Sequence, residues 1–279
     1  KVYAANMAEN LKALPTSAGS HSCLVTVEGH KRSFKIHIPP SRDGSTRFPL
    51  VIVLHGACED AQNMVDVTKF NDLADQKGFI VVYPEAEYCM ANRGRTWNVG
   101  DSIFWTVDDV EFIRNLILIA ENKLNVDPGK IFAAGFSNGA MLAHEIATRI
   151  PRKIAAFASV SGSMNGTEGK PENPVSALII HGDQDEIVPA EGRRCWTGFW
   201  FFTMKSTDYA VEFWKNANEA TNLLSSSTSS LVEKKTFSSA DHRHAVVQIV
   251  IKGGRHSWSS DKLETTDTIW QFFQAHPKS

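Results

Sequence analysis

The chain has 279 residues, a length that suits one α/β domain better than two, and 42% of them are hydrophobic, as in a globular protein with a substantial core. The 29 basic and 31 acidic side chains leave a net charge of −2, and no run is rich in Lys or Arg. Neither nucleic acid nor an anionic membrane surface is therefore an expected partner. No apolar run approaches the roughly 18 residues that a membrane span needs.

Strands and helices alternate along the predicted chain. Residues 1–21 show no clear hydrophobic period and are expected to form a lead-in to a single domain over residues 22–279. Predicted strands cover residues 33–39, 50–54, 79–83, 131–134, 154–160, 177–180 and 245–251, and predicted helices cover 107–124, 140–150, 211–217 and 265–275. The Ser- and Thr-rich residues 225–230 are expected to form a surface loop.

Several of the predicted strands are continuous apolar runs. Residues 50–54 and 79–83 show the pattern of strands that are buried on both faces. The sequence therefore predicts an α/β fold in which a mostly parallel central sheet carries helices on both faces. Ligands of such sheets bind beyond the carboxyl ends of the strands, so reactive residues are expected directly after the strand runs.

The segment from Gly135 to Gly139 fits the pattern G-x-S-x-G and stands between a predicted strand and a predicted helix. In that context it predicts a nucleophile elbow, a turn so tight that Cβ atoms at the flanking positions would clash. Such a turn projects Ser137 above the sheet at a helix N-terminus, whose dipole favours negative charge. An ordinary turn of Gly and Ser is the alternative.

A serine hydroxyl needs a base to take its proton, and the elbow predicts an acid and then a histidine later in the chain. Two aspartates follow the strand at 177–180. Asp185 is preferred as the acid because it lies inside the following loop, whereas Asp183 could cap or orient that loop. The base candidate is His256, which follows the strand at 245–251 and two glycines.

An oxyanion hole needs two preorganised N–H donors. One donor is expected to be the backbone N–H of Asn138, directly after the nucleophile. The other is expected on the loop after the strand at 50–54, at Ala57, which follows His55 and Gly56. His55 is expected to shape its loop rather than to catalyse.

No metal site or dithiol redox centre is predicted. His242 and His244 could ligate a metal, but no third ligand is near, and they precede a strand whose far end carries His256. The four cysteines, Cys23, Cys58, Cys89 and Cys195, include no CxxC pair. The four cysteines could form two disulfides or could remain as buried free thiols, and the sequence does not distinguish these states.

Two features of the sequence bear on the cellular compartment of the protein. The chain begins at Lys1 without a Met or an apolar signal core, so either a signal was removed or the chain was trimmed. The sequon at Asn165 favours secretion weakly. We expect a secreted, extracellular protein.

Several segments occur in the order seen in one esterase family. These are residues 25–39, 49–56, 79–85, 97–98, 108–113, 135–139, 181–189 and 253–258. Over roughly residues 22–275, the chain resembles the polyhydroxybutyrate depolymerase-like esterases, a group that includes feruloyl and acetylxylan esterases of the carbohydrate esterase family 1 type.

The resemblance implies the α/β-hydrolase fold and a secreted, lidless or lightly lidded serine esterase without metal or cofactor. It assigns Ser137 as nucleophile, Asp185 as acid and His256 as base. The implied partner is a small-molecule or polymer ester, held in an open cleft that accepts a polymer end or a bulky acyl group.

The chain departs from the family pattern at a few positions. Ala140 stands where a second glycine often follows the elbow, and Arg255 stands where a third glycine is common. Arg255 could bind a substrate carboxylate or point to solvent. Glu59 and Asp60, in the loop after the first buried strand, could tune which substrates approach.

The preferred activity is hydrolysis of feruloyl or other hydroxycinnamoyl esters, or of short-chain polyesters of the polyhydroxybutyrate type, and acetylxylan esterase is an alternative. A serine peptidase is a further alternative, because the same triad cleaves amides. A non-catalytic binding protein of the same fold is the remote one.

The aromatic run at residues 195–202 is too dense for an ordinary exposed loop. It could pack into the core, or Trp196 or Trp200 could form a wall of the acyl or leaving-group pocket. Trp97 could face that wall from across the cleft.

Overall fold

The computed structural model describes residues 2–40, 47–89, 94–100, 107–196 and 201–278, with the backbone alone for 2–6, 195–196 and 201–202. The helices are α1 (Val2–Ala13), α2 (Ala61–Thr68), α3 (Phe70–Lys77), α4 (Asp109–Lys123), α5 (Asn138–Arg149), α6 (Thr207–Ala217) and α7 (Thr265–Ala275). The strands are β1 (Gly19–Val27), β2 (His30–Ile38), β3 (Phe48–Leu54), β4 (Ile80–Pro84), β5 (Tyr88–Cys89), β6 (Gly94–Arg95), β7 (Val126–Phe136), β8 (Ala156–Val160), β9 (Ser176–Gly182), β10 (Arg193–Trp196), β11 (Phe201–Met204), β12 (Asn222–Thr228), β13 (Val232–Ser238) and β14 (Ala245–Ile251).

One ten-stranded sheet organises this part of the chain, in the order β1-β2-β4-β3-β7-β8-β9-β14-β13-β12. The six central strands, from β4 to β14, are parallel to one another. The outer strands β1, β2, β13 and β12 are antiparallel. The predicted mostly parallel sheet is confirmed, and the carboxyl ends of its central strands lie at one edge.

Alternating residues of the central strands enter two separate cores. Leu50 and Ile52 of β3 pack on the face that carries α1, α4, α5 and α6. Val51 and Val53 pack on the other face, with α2, α3 and α7. The prediction of helices on both faces is therefore confirmed. A strand that is buried on both sides must be apolar at every position, which explains the continuous apolar runs.

The N-terminal lead-in differs from expectation. Instead of a loose segment, α1 packs against β1 and α4, and β1 begins at Gly19. Asn10 on α1 exchanges two hydrogen bonds of 2.9 Å with the backbone of Thr26 on β1, and Leu14 is buried. Leu14, with Met7 and Leu11 packed beside it, therefore joins the same core as the rest of the domain.

The expected surface loop at 225–230 is wrong over its first four residues. Residues 225–228 belong to β12, which is exposed along its whole length and pairs with β13. An edge strand without an apolar face gives no alternating pattern, so its composition resembled that of a loop.

Cys23 and Cys89 are free thiols within the described part of the chain. Burial raises the pKa of the Cys23 thiol to about 11. No helix among the described residues is long and apolar enough to cross a membrane.

Glu145 on α5 gives the stability of the fold a pH dependence. Burial raises its pKa from 4.5 to about 7, although its carboxylate accepts a hydrogen bond from the backbone N–H of Gly100. The folded chain thus holds this proton more tightly than the unfolded chain. The resulting stabilisation is complete below pH 4.5 and is lost as the pH rises to about 7.

Glu145→Gln should remove that dependence. Urea unfolding at several pH values should show the wild-type advantage over the variant shrinking by up to about 3 kcal/mol between the unfolded and folded pKa values. Glu191→Gln, at an exposed position, should leave the wild-type profile unchanged. Parallel profiles for wild type and Glu145→Gln would contradict the argument.

Candidate active site

The turn between β7 and α5 holds Ser137 in a strained conformation, with φ 54° and ψ −119°. A Cβ on Gly135 would lie 2.2 Å from the carbonyl oxygen of Gly139, and one on Gly139 would lie 2.4 Å from that of Leu54. Only glycine fits at both positions. The strain at Ser137 is held by the surrounding sheet, and such strain concentrates at functional sites.

Ser137 begins an unbroken chain of hydrogen bonds. Its Oγ lies 3.0 Å from Nε2 of His256, and Nδ1 of the same ring lies 2.7 Å from Oδ2 of Asp185. The imidazole packs against the ring of Phe136, with centroids 4.9 Å apart. Because β7, β9 and β14 all point the same way, the loops after them bring these three residues to one edge of the sheet.

Asp185 is buried and fully occupied. Its Oδ1 accepts hydrogen bonds from the backbone N–H groups of Ile187 and Val188, at 2.9 and 2.8 Å. Its Oδ2 also lies 3.4 Å from Nε2 of His181. Burial alone would raise the pKa of Asp185, but hydrogen bonds from His181, His256 and Val188 outweigh it and hold the pKa well below its usual value. The carboxylate is therefore charged at neutral pH.

Asp183 has a different role from Asp185. It is exposed, and its Oδ1 accepts a 2.6 Å hydrogen bond from the backbone N–H of Gly253, in the loop that leads to His256. The two loops are packed so closely that a Cβ on Gly182 would lie 2.2 Å from the carbonyl oxygen of Gly254. Asp183 thus ties the histidine loop to the end of β9.

The loop after β3 presents Ala57 to solvent. The N–H of Gly56 donates to Oε2 of Glu59 at 2.9 Å, and the N–H of Cys58 donates to a carbonyl of β6. Ala57, which is exposed, lies between these two anchors. Glu59 therefore holds the loop, and Asp60 caps α2, so both acids have structural partners besides any influence on substrate approach.

His55 anchors the start of this loop. Its Nε2 accepts a 3.0 Å hydrogen bond from the N–H of Ala86, while Nδ1 lies 2.7 Å from the carbonyl oxygen of Gly56. Burial lowers its pKa to about 4, so the ring is neutral and Nδ1 carries the proton that Gly56 accepts. His55 is thus placed as a loop-shaping residue.

Trp97 differs from expectation. Its side chain is 1% exposed, so it does not face a cleft as a wall for substrate. Its Nε1 donates to the carbonyl oxygen of His55 at 2.8 Å, and its backbone N–H donates to Oδ1 of Asn138 at 2.7 Å. Trp97 therefore ties together the two segments that carry the candidate oxyanion donors. Asn138 is the first residue of α5, where backbone N–H groups have no acceptor within the helix.

Trp97→Phe should lower kcat on the order of tenfold, with KM little changed, because the loop that bears Ala57 loses its tie to Asn138. The buried carbonyl of His55 would also lose its donor, at a cost of about 1–3 kcal/mol. Trp214→Phe is the matched control, since Nε1 of that buried tryptophan donates to Nδ1 of His144 in the core. It should destabilise the fold similarly and spare kcat; equal kcat losses in both variants would contradict the assignment.

Of the other residues that were predicted to contact substrate, only some lie within the described part of the chain. Arg255 is exposed beside His256. Trp196 ends β10, but only its backbone is described. Trp200 lies outside the described residues. No cluster of three or more potential metal ligands occurs in the described ranges.

A family model for esterase PHB depolymerase matches residues 32–186, which is more than half of the chain. The chain belongs to this family. The match includes Ser137 and Asp185, whereas His256 lies beyond its end. Membership in the esterase PHB depolymerase family confirms the resemblance seen in the sequence motifs.

Curated relatives match part of the chain. A bifunctional acetylxylan esterase/xylanase of Neocallimastix patriciarum is 29% identical over 55% of this chain and 22% of its own length. Feruloyl esterase B of Piromyces equi is 30% identical over 58% of this chain and 30% of its own length. The matched region thus spans less than a third of either relative.

Solved structures show the fold. The acetyl xylan esterase from Aspergillus awamori superposes with a TM-score of 0.63 at 18% identity, covering 88% of this chain and 94% of its own. This likeness, together with the strand order, shows the α/β-hydrolase fold.

Proposed function

We propose that this member of the esterase PHB depolymerase family hydrolyses carboxylic esters through an acyl-enzyme on Ser137. The observation that carries the proposal is the hydrogen-bond chain from Ser137 through His256 to Asp185. Oγ of Ser137 attacks the ester carbonyl carbon while its proton passes to Nε2 of His256. The backbone N–H groups of Ala57 and Asn138 donate to the oxyanion that forms.

The tetrahedral intermediate then expels the alcohol, which takes the proton from His256. Water repeats the sequence on the acyl-enzyme, releases the acid and restores Ser137. Asp185 keeps the Nδ1 proton in place and stabilises the imidazolium that forms in each half-reaction. His256 makes every proton transfer, so the proposed mechanism invokes no metal or cofactor.

The proposed substrates are feruloyl or other hydroxycinnamoyl esters, or short polyesters of the hydroxybutyrate type. The name of the Piromyces relative supports the first, and the family description supports the second. Acetylated xylan is the second candidate, because relatives and a structural neighbour are acetylxylan esterases.

The deciding experiment compares kcat/KM for methyl ferulate, a hydroxybutyrate oligomer, p-nitrophenyl acetate and acetylated xylan on one enzyme preparation. We expect methyl ferulate or the oligomer to exceed acetylated xylan at least about tenfold. The reverse ranking would favour the acetylxylan esterase. Turnover of an anilide as fast as the ester with the same acyl group would indicate a peptidase, and failure to label Ser137 with a fluorophosphonate would indicate a binding protein.

The aromatic wall remains part of this proposal. Trp196→Ala or Trp200→Ala should lower kcat/KM for methyl ferulate about fivefold more than for p-nitrophenyl acetate, whose acyl group is too small to reach a wall. We also propose that Arg255, exposed beside His256, either meets a substrate carboxylate or faces solvent. Arg255→Ala assayed on a free-acid and a methylated substrate separates the two roles.

We propose an extracellular location for the natural protein. The sequon at Asn165 supports it, since Oδ1 of Asn165 accepts hydrogen bonds from N and Oγ1 of Thr167 in an exposed turn. Fractionating a culture of the source organism tests this, because an antibody to the chain should find it in the medium rather than in the cells.

A further inference from the structure

A second serine, histidine and aspartate form a hydrogen-bonded chain at another place in the fold. Oγ of Ser20 on β1 lies 2.8 Å from Nδ1 of His37 on β2. Nε2 of the same ring lies 2.8 Å from Oδ1 of Asp75 on α3. One neutral tautomer satisfies both contacts: Nε2–H donates to the carboxylate, and Nδ1 accepts the serine proton. The order of roles matches the chain at Ser137, with the two ring nitrogens exchanged.

This second chain is far from the first in the order of the sheet. β1 and β2 are the outer antiparallel strands, whereas Ser137 and His256 follow the central strands β7 and β14. None of the steps proposed for ester hydrolysis at Ser137 uses Ser20, His37 or Asp75.

Ser20 and His37 line a cleft of about 180 Å³, and Asp75 bonds the ring of His37. Nδ2 of Asn71 donates to Oγ of Ser20 at 3.4 Å, and the orientation of this amide is set by Tyr83, whose hydroxyl donates to Oδ1 of Asn71 at 2.8 Å. Lys35 and Ser22 line the same cleft, with Nζ of Lys35 3.4 Å from Oγ of Ser22. An amide therefore donates to the hydroxyl of Ser20, and an ammonium group lines the same cleft.

The three groups differ in exposure in a way that suits a reactive hydroxyl. Ser20 is exposed, so a molecule in the cleft can reach it. The side chain of His37 is 10% exposed and that of Asp75 is 45% exposed. The base is thus shielded from water and held in place from its far side, which is the arrangement that activates a nucleophilic hydroxyl.

We propose that Ser20, His37 and Asp75 form a second nucleophilic site, which small aryl acetates acylate independently of Ser137. Oγ of Ser20 forms a bond to the acetyl carbon, and its proton passes to Nδ1 of His37. The bond from that carbon to the aryl oxygen breaks, the phenolate leaves as an anion, and His37 returns its proton to water. The product is an acetyl ester on Ser20.

Acylation of Ser20 should be slow and stoichiometric. The side-chain amide of Asn71 donates to Oγ of Ser20 itself, whereas the Ser137 site is proposed to use two backbone N–H groups that donate to the substrate carbonyl oxygen. An oxyanion without two such organised donors is stabilised less, both when the acetyl group arrives and when water would remove it. The acetyl-serine should therefore persist long enough to be mapped.

The experiment uses the full chain carrying Ser137→Ala, incubated with p-nitrophenyl acetate and followed by peptide mass mapping. Ser20 should gain one acetyl group at least about tenfold faster than Ser22, which lines the same cleft but bonds Lys35 instead of a histidine. Adding His37→Gln should slow labelling of Ser20 at least about tenfold and leave Ser22 unchanged.

Asp75→Asn guards against a folding defect in the His37 variant, because its side chain is half-exposed. It should slow labelling of Ser20 while the melting temperature stays near that of the parent. Equal labelling of Ser20 and Ser22, no acetyl on Ser20, or labelling indifferent to both His37→Gln and Asp75→Asn would overturn the proposal. Because the label is located by residue, an error in the role of Ser137 would appear as residual ester turnover and not as a change at Ser20.

Discussion

Ser137→Ala should abolish ester hydrolysis and leave the fold intact, with kcat falling on the order of 10⁴-fold or more. Alanine removes the Oγ that lies 3.0 Å from Nε2 of His256, and with it the atom that would attack the ester. The turn tolerates the change, because alanine has the same backbone and Cβ as serine and adds no atom near Gly135 or Gly139. Initial rates on p-nitrophenyl acetate and a thermal melt measure the two parts of the prediction.

Ser257→Ala provides the matched control. Ser257 is exposed and directly follows His256, but no hydrogen bond joins it to the chain that starts at Ser137 in the described structure. It should keep near wild-type activity. A carefully purified Ser137→Ala variant that retained a tenth of wild-type kcat would show that another residue is the nucleophile.

Asp185→Asn should lower kcat on the order of 10⁴-fold, whereas Asp183→Asn should cost less than about tenfold. An amide at position 185 would present a donor where Oδ2 now accepts from Nδ1 of His256, which favours the wrong imidazole tautomer. At position 183 the amide oxygen can still accept from the N–H of Gly253, so the histidine loop keeps its anchor.

Steady-state kinetics on one ester for both variants tests the comparison. Because Asp185 is buried among four hydrogen-bond donors, a melting curve must show that its variant is folded at the assay temperature. Comparable losses at the two positions, or a larger loss at Asp183, would reverse the assignment of the acid.

The strands of the central sheet could be predicted from the sequence, because a strand that is buried on both faces is apolar at every position. Residues 50–54 and 245–251 were predicted as strands, and the structure extends the first only to Phe48 and keeps the second as β14. The helix at 265–275 was predicted with the bounds it has as α7, since one apolar face repeats at helical spacing.

The segments that were not predicted lack such a hydrophobic pattern. The two faces of α1 differ little in hydrophobicity, and its place is fixed by the hydrogen bonds of Asn10 to β1 and by the burial of Leu14, which directly follows the helix. β12 is exposed throughout, so nothing in its own residues favours a strand until β13 offers a ladder of hydrogen bonds. α2 and α3 are short, eight residues each, and meet at Lys69 in a left-handed conformation.

The sequence by itself determined the local chemistry: a serine in a turn that only glycines can flank, and an acid and a histidine after strands that must end at the same edge. Only the tertiary structure decided which atoms meet. It separated Asp185, which bonds His256, from Asp183, which bonds a loop, and it buried Trp97 in contact with His55 and Asn138. It also joined Ser20 to His37 and Asp75, which no motif marks. Contacts between residues 17 to 119 positions apart depend on strand order and loop packing, and these are properties of the folded chain that no local pattern encodes.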